Sequence, residues 1–443
     1  MQAPDQSGFD CPDPDSQSDP ETKAGLEESA VAKALSSILA AAILFAHLGS
    51  ALGPVVPVVS LGAPLAIFLL LRNRVDARLQ PVGWLLALPT FALASTIWSR
   101  MPMMTFHYAG QLAITVLGAL AIWLTADVRG FVRQLFAASL AICLVSLASG
   151  HTGPSTTGPV LVGITGSKNA MAAVGQCVVF CGLALALDRG QPPLWRVAGA
   201  LATPLGGWIV AVTQAATIKL LTLLAPVICV AVMALHACPA KIRPFLTAGL
   251  LLATVAGGSV AGKVAERAED ATLKTFNKDK GLTGRTYLWD VAWQKIVERP
   301  VQGYGYKAFW MSGSADSIGL LRSQRIADPR TFSLHQTYLE VWLDLGLGGL
   351  AIAATMLASG LIAALYRAVR FCAAPDIFLA VSLVSLVVRS FGDTLFQPFY
   401  AYGTIAVVLI AFALFGAGTS ERSVAVADPR RRRQDRAAMS FRT

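Results

Sequence analysis

This chain has little charge, little histidine and no clustered cysteine. Only 14% of its 443 residues are Asp, Glu, Lys or Arg, while 55% are hydrophobic. Soluble domains carry about 25% charged residues, so an ordinary water-facing surface is excluded. The apolar residues come in runs of about twenty, with mean hydropathy +0.58. Period-two alternation is missing, which excludes a membrane barrel and leaves spanning helices, because lipid offers the backbone no hydrogen-bond partners. The seven cysteines (Cys11, Cys143, Cys177, Cys181, Cys229, Cys238 and Cys372) show no CxxC spacing and no nearby histidine cluster. Neither a disulfide framework nor a zinc site is expected. Cys177 and Cys181, at i,i+4 without further ligands, read as small buried hydrophobes. No internal repeat is visible, which counts against many transporter architectures.

What is present is an all-α polytopic pattern. Residues 1–32 are acidic and rich in Pro, Ser and Asp, a composition expected to be disordered. They lack the positive n-region of a cleavable leader, so the first apolar run is expected to remain as an anchor. Hydropathy places about twelve spans, near 34–52, 55–72, 81–98, 107–125, 131–149, 167–187, 195–214, 217–237, 244–262, 336–366, 375–396 and 400–418. Spans one to nine thus fall in 33–262, a large polar loop in 263–335, spans ten to twelve in 336–418, and a basic tail in 419–443.

Short basic loops stay in the cytoplasm. With the N-terminus inside, the inside loops carry Arg72, Arg74 and Arg78, then Arg129 and Arg133, Arg189 and Arg196, Lys241 and Arg243, and Arg367 and Arg370, and the tail adds Arg430 to Arg433 and Arg436. Both termini are therefore expected to be cytoplasmic. The formal charge of +10 then belongs to topology and anionic lipid, with no nucleic-acid partner expected. The loop is placed outside. Residues 263–334 hold twelve Lys and Arg against eight Asp and Glu, a net +4 that a long translocated loop tolerates and that suggests an anionic ligand.

Chemistry concentrates at that outer face. His335 begins HQTYLEVWLDLG at the start of span ten, where the positive end of the helix dipole disfavours protonation and a neutral base can be built. The plain alternative is an interfacial histidine satisfying a helix end. Gln336, Glu340 and Asp344 share one face and read as a solvated or protein-facing stripe, and Gly346, Gly348 and Gly349 read as close helix packing. The span is expected to begin as an exposed turn. Arg285, in TGRTYLW, enters an amphipathic helix whose apolar side is Leu288, Trp289, Ala292 and Ile296. A guanidinium there can grip a phosphate by two parallel bonds, or be a surface arginine. ERPVQGYGY reads as turn, with Pro300, Gly303 and Gly305. Arg322, Arg325 and Arg330 add positive field. Lys168 and Asn169 open span six, where the lysine snorkels or lines a cavity. Lys219 in span eight and Arg389 in span eleven are charges within spans, which usually face a cavity or partner. Asp393 is the partner expected if Arg389 is structural.

Taken together, STIWSRMPMMTF, GITGSKNAMA, TGRTYLWD, ERPVQGYGY, LHQTYLEVWLDLGLGG and VVRSFGDTLF resemble the bacterial O-antigen ligase and Wzy-type polysaccharide polymerase family, nearest its exopolysaccharide-polymerase branch, over about 85–420. The resemblance implies a GT-C-like, metal-independent, inverting membrane glycosyltransferase of the bacterial inner membrane, without cofactor. It would transfer a sugar chain from an undecaprenyl-pyrophosphate-linked donor to a sugar hydroxyl at the periplasmic face, with chain-length and export proteins as partners. It implies His335 as the essential loop histidine, Arg285 as the pyrophosphate-binding arginine, and Lys168 and Asn169 as the Lys-Asn pair. Three positions depart from the pattern. Gln336 replaces the asparagine that follows the histidine, Ala216 stands where a basic residue follows the TQ pair with Lys219 nearby, and Asp393 stands where glutamate is more usual. Ligation of O-antigen to lipid A core is the alternative within the class, and a lipid-linked oligosaccharide flippase the alternative outside it.

Overall fold

The computed structural model describes residues 20–72, 83–153, 158–275, 284–323, 326 and 328–416, and within these it leaves out the side chains of 20–29, 50, 259, 261–275, 284–286 and 331. Residues 1–19, Arg74, Arg78 and the basic tail lie outside the described residues.

Each apolar run becomes a helix because an unpaired peptide group has no partner in lipid. Helices α1 (Pro20–Leu48), α2 (Val55–Leu70) and α3 (Ala87–Ala94) are followed by α4 (Pro102–Thr125), α5 (Val128–Ser149) and α6 (Lys168–Leu187). Then come α7 (Pro193–Val212), α8 (Ala216–Ala237) and α9 (Arg243–Thr275). The polar region folds as α10 (Gly284–Glu298), α11 (Ala308–Met311) and α12 (Ala315–Ser323), before α13 (Thr337–Phe371), α14 (Ala374–Arg389) and α15 (Ala401–Phe415). A two-stranded antiparallel ribbon pairs Thr152 with Leu161 ahead of α6. Local starts are legible in sequence. Asp127 accepts from Gly130 N–H at the head of α5 and Ser167 from Ala170 N–H at the head of α6, while Pro102 and Pro193 open α4 and α7.

A helix stands at each of the twelve expected spans. Among the described residues, seven of them are long and apolar enough to cross a membrane: Ala30–Leu48 within α1, then α4, α5, α6, α7, α8 and α13. Helix α2, the Gly83–Ile97 segment and α15 are shorter apolar helices. Three boundaries differ from expectation. Helix α1 begins at Pro20, inside the stretch read as a disordered tail, α9 runs to Thr275, past the boundary at 262, and α13 continues to Phe371.

The helices define two ends. At one, Arg129 pairs with Asp188 at 2.7 Å and Arg367 with Asp376 at 2.8 Å, and His236 Nδ1 meets Val369 O at 2.8 Å. Of the basic residues assigned to the short inside loops, this end holds Arg129, Arg243 and Arg367. Helices α8 and α13 thus finish together, and α13, longer by thirteen residues, begins beyond the start of α8 on the opposite side. Gln176 of α6 donates to Thr222 of α8 at 3.1 Å, about two turns into each helix, which puts Lys168 and Lys219 toward the end that carries His335.

Over it sits a second apolar core. Leu288, Ala292, Ile296, Phe309, Trp310, Leu320, Phe332 and Leu334 pack with Leu343 of α13, separately from the core of the helix bundle. The polar loop is a small helical module in its own right.

Candidate active site

The module is joined to the bundle through an interruption of α13. At Gly346 the backbone takes φ 65°, ψ −165°, a region open essentially to glycine alone. The interruption frees backbone groups, and the ERPVQGYGY loop satisfies them. Tyr304 N–H donates to Leu343 O at 3.0 Å, Gly305 N–H to Asp344 O at 2.8 Å, and Leu347 N–H to Pro300 O at 2.9 Å. A Cβ on Gly346 would stand 2.0 Å from Val301 O. The glycine therefore serves a break and a loop contact, where tight helix packing was expected.

The other side of this loop is held by STIWSR. Trp98 Nε1 donates to Gln302 O at 2.8 Å, Tyr306 N–H to Ser95 Oγ at 3.1 Å, and the Thr105 hydroxyl to Tyr306 O at 3.1 Å. The Arg100 guanidinium lies 5.2 Å from the Tyr304 ring centre. Two pieces 200 residues apart in sequence thus form one clamp.

The stripe Gln336, Glu340 and Asp344 is not solvated. Gln336 caps α13 through Leu339 N–H, and Glu340 and Asp344 are buried. The Glu340 carboxylate accepts from Lys307 Nζ at 3.3 Å, Trp310 Nε1 at 3.0 Å and Leu334 N–H at 2.7 Å. Lys307 also donates to Phe332 O at 3.2 Å. Helix α13 accordingly starts buried, against the expected exposed turn. One carboxylate joins the α10–α11 loop and α11 to the segment that leaves the module, and the next residue after Leu334 is His335.

His335 is half-buried, with φ 51°. Its N–H donates to Ser333 Oγ at 3.3 Å, and its ring stands edge-on to Phe332 with centres 6.0 Å apart. Two residues on, Thr337 N–H donates to Ser390 O at 2.9 Å and the Thr337 hydroxyl to Asp393 O at 2.8 Å. That ties the histidine turn to the end of α14, where Arg389 is buried. Arg389 Nη2 and Nε donate to Asp393 at 2.9 and 3.1 Å, and Cζ lies 3.6 Å from the centre of the Tyr402 ring. Its Nη1 has no hydrogen-bond partner among the described residues. The arginine also lines a small internal cavity with Gln176, Ser382, Ser385 and Tyr402.

Outside the spans, the Tyr304 phenol is pushed up to about 12 by burial and by its hydrogen bond to Glu298. Hydrogen bonds from Lys295 and Tyr304 hold Glu298 below the usual carboxylate range.

Arg285 occupies the first turn of α10, and its side chain lies outside the described residues. One turn further on, Trp289 Nε1 donates to Leu334 O at 2.8 Å, so the backbone of Arg285 is near the histidine turn. The expected apolar side of this helix is buried at Leu288, Ala292 and Ile296. Lys168 and Lys219 are half-buried and Asn169 is exposed. All three lie toward the end of the bundle that carries His335.

Sequence reasoning missed Lys307, Glu340 and Tyr402. A lysine directly after GYGY and before AFW was a signal for the first, since a cation inside an aromatic run needs a buried partner. Glu340 was seen only as part of a solvated or protein-facing stripe, without its partners. Tyr402 carried no signal.

Residues 200–354 match a family described as O-antigen ligase. The exopolysaccharide production protein ExoQ of Rhizobium meliloti (strain 1021) is 29% identical over 287 residues, which is 64% of this chain and 65% of the relative. The matched stretch therefore spans somewhat less than two thirds of that relative. The family match runs from α7 through the module and the Gly346 break to the middle of α13, so it takes in Lys219, Arg285 and His335. Over this segment the chain is similar to the O-antigen ligase family, and over a longer stretch to an exopolysaccharide production protein.

Proposed function

We propose that the chain is a polysaccharide polymerase of the bacterial inner membrane, acting on undecaprenyl-pyrophosphate-linked repeat units at the periplasmic face. Twelve spans, with the module outside and both termini inside, form part of this reading. His335 accepts the proton of an acceptor sugar hydroxyl as its oxygen attacks the anomeric carbon of the donor. The bond from that carbon to the pyrophosphate oxygen breaks, its electron pair leaves with the diphosphate, and the configuration inverts. Arg285, with Lys168, Lys219 and Arg389, offsets the charge that develops on the leaving group, while Asn169 contacts sugar. No metal takes part.

The observation that carries this reading is the tie between Thr337 and Ser390, which sets the histidine turn beside the Arg389 helix end. The name of the exopolysaccharide relative favours polymerisation over ligation to a lipid core.

The test is purified protein in detergent with a lipid-linked repeat unit and no ion gradient, with products resolved by size. A ladder of extended lipid-linked chains is expected. His335→Asn keeps a residue tolerant of positive φ and should fold yet give no ladder. Wild-type extension by that variant removes the base assignment, and absence of extension by the wild-type protein removes the polymerase reading.

A further inference from the structure

The basic end of the bundle, opposite the candidate active site, carries a feature that the proposed reaction does not use. Between the start of α9 and the last turns of α13 runs a groove of about 530 Å³, a size suited to a small ligand or a lipid chain. Its floor is apolar, formed by Pro244, Ala248, Leu251, Ile362 and Leu365. Two guanidiniums stand at its mouth, Arg243 as the first residue of α9 and Arg370 as the last but one of α13.

Neither is paired with a carboxylate among the described residues. Arg243 Nη2 donates to the carbonyls of His236 and Cys238 at 2.8 and 2.9 Å, which fixes its position, and its Nε is buried without a partner. Arg370 Nη1 donates to the Tyr366 hydroxyl at 2.6 Å. By contrast Arg367, one turn from Arg370, is neutralised by Asp376. Two guanidiniums without a carboxylate partner among the described residues thus flank an apolar slot, a combination that neither a free phosphate nor a neutral lipid matches.

We propose that this groove binds an anionic phospholipid, with the phosphodiester held between Arg243 and Arg370 and one acyl chain lying along the floor. The two halves of the site suit the two halves of the ligand, since guanidiniums bind phosphate oxygens by directed hydrogen bonds and basic residues at a membrane surface attract anionic headgroups.

The test uses full-length protein in detergent, with phosphatidylglycerol as probe, phosphatidylcholine and inorganic phosphate as comparisons, and native mass spectrometry and thermal melting as readouts. Retained phosphatidylglycerol adducts and a raised Tm are expected, with neither comparison reproducing them. Arg370→Gln should weaken phosphatidylglycerol binding roughly five-fold, the effect of one charge near the membrane surface. Arg243→Gln also removes a helix-end hydrogen bond and can unfold the protein, so Ala248→Trp is the companion variant, filling the slot with both arginines intact and abolishing the adducts. Equal stabilisation by phosphatidylcholine, equal effect of inorganic phosphate, a co-purifying protein occupying the groove in place of lipid, or undiminished phosphatidylglycerol binding in both Arg370→Gln and Ala248→Trp overturns the proposal.

Discussion

The Lys307 ammonium lies 3.3 Å from the Glu340 carboxylate, with both side chains all but sealed from solvent. Lys307 sits in the loop between α10 and α11 inside the outer module, and Glu340 on the first turn of the helix that leaves it. Removing one member of a buried pair strands the other charge at a cost of about 3–5 kcal/mol. Glu340→Ala should therefore lower Tm sharply and reduce the amount of folded protein. Lys307→Met in the same background should recover much of the loss, because the stranded cation goes too. A double variant no better than Glu340→Ala alone would show that the hydrogen bonds to Trp310 and Leu334 dominate instead.

Gly346→Ala meets two obstacles. The dihedral region costs a residue with Cβ about 1–3 kcal/mol, and Val301 O occupies the place of the new carbon. The loop should detach from the helix break, so limited proteolysis near residues 299–305 should speed up while the helix bundle stays intact. Gly348→Ala meets only the tip of Phe91, and should be mild by the same assay.

Arg389→Lys keeps the charge and loses both the two-nitrogen contact with Asp393 and the planar stacking on Tyr402, the latter about 2 kcal/mol at a desolvated site. Extension activity should fall by at least about ten-fold, the factor equivalent to 1.4 kcal/mol. Tyr402→Leu should fall by a smaller amount, and an unchanged rate in both would make Arg389 an ordinary helix-end residue.

Acid should loosen the outer module slightly. Glu298 titrates lower folded than unfolded, so its contribution is present above the unfolded carboxylate range and is lost as pH falls through the folded value. The group is exposed, so screening keeps the effect under about 1 kcal/mol. Tryptophan fluorescence of the module should show a small drop in Tm below the ordinary carboxylate range, and Glu298→Gln should remove that dependence.

The helices were legible because lipid imposes one rule on every segment, and a helix stands at each expected place. The amphipathic α10, the turn at Pro300 and the pairing of Arg389 with Asp393 were legible for local reasons, through periodicity, turn chemistry and i,i+4 spacing. Gly346 was misread because helical periodicity assumes an unbroken helix, and for Glu340 the sequence left open whether water or protein faced it. A carboxylate on a polar stripe looks solvated until a second chain segment covers it.

By itself, the amino-acid sequence determined that this protein lies in a membrane as helices, with one polar segment and a histidine at its end. Those properties depend on composition and on neighbours within a turn or two. Only the tertiary structure decided that GYGY clamps STIWSR across an interrupted helix, that Lys307 and Glu340 hold the histidine turn, and that Arg389 stacks on Tyr402. Each of these joins residues far apart in the chain, and such a contact has an energy only once the fold has excluded water from between them.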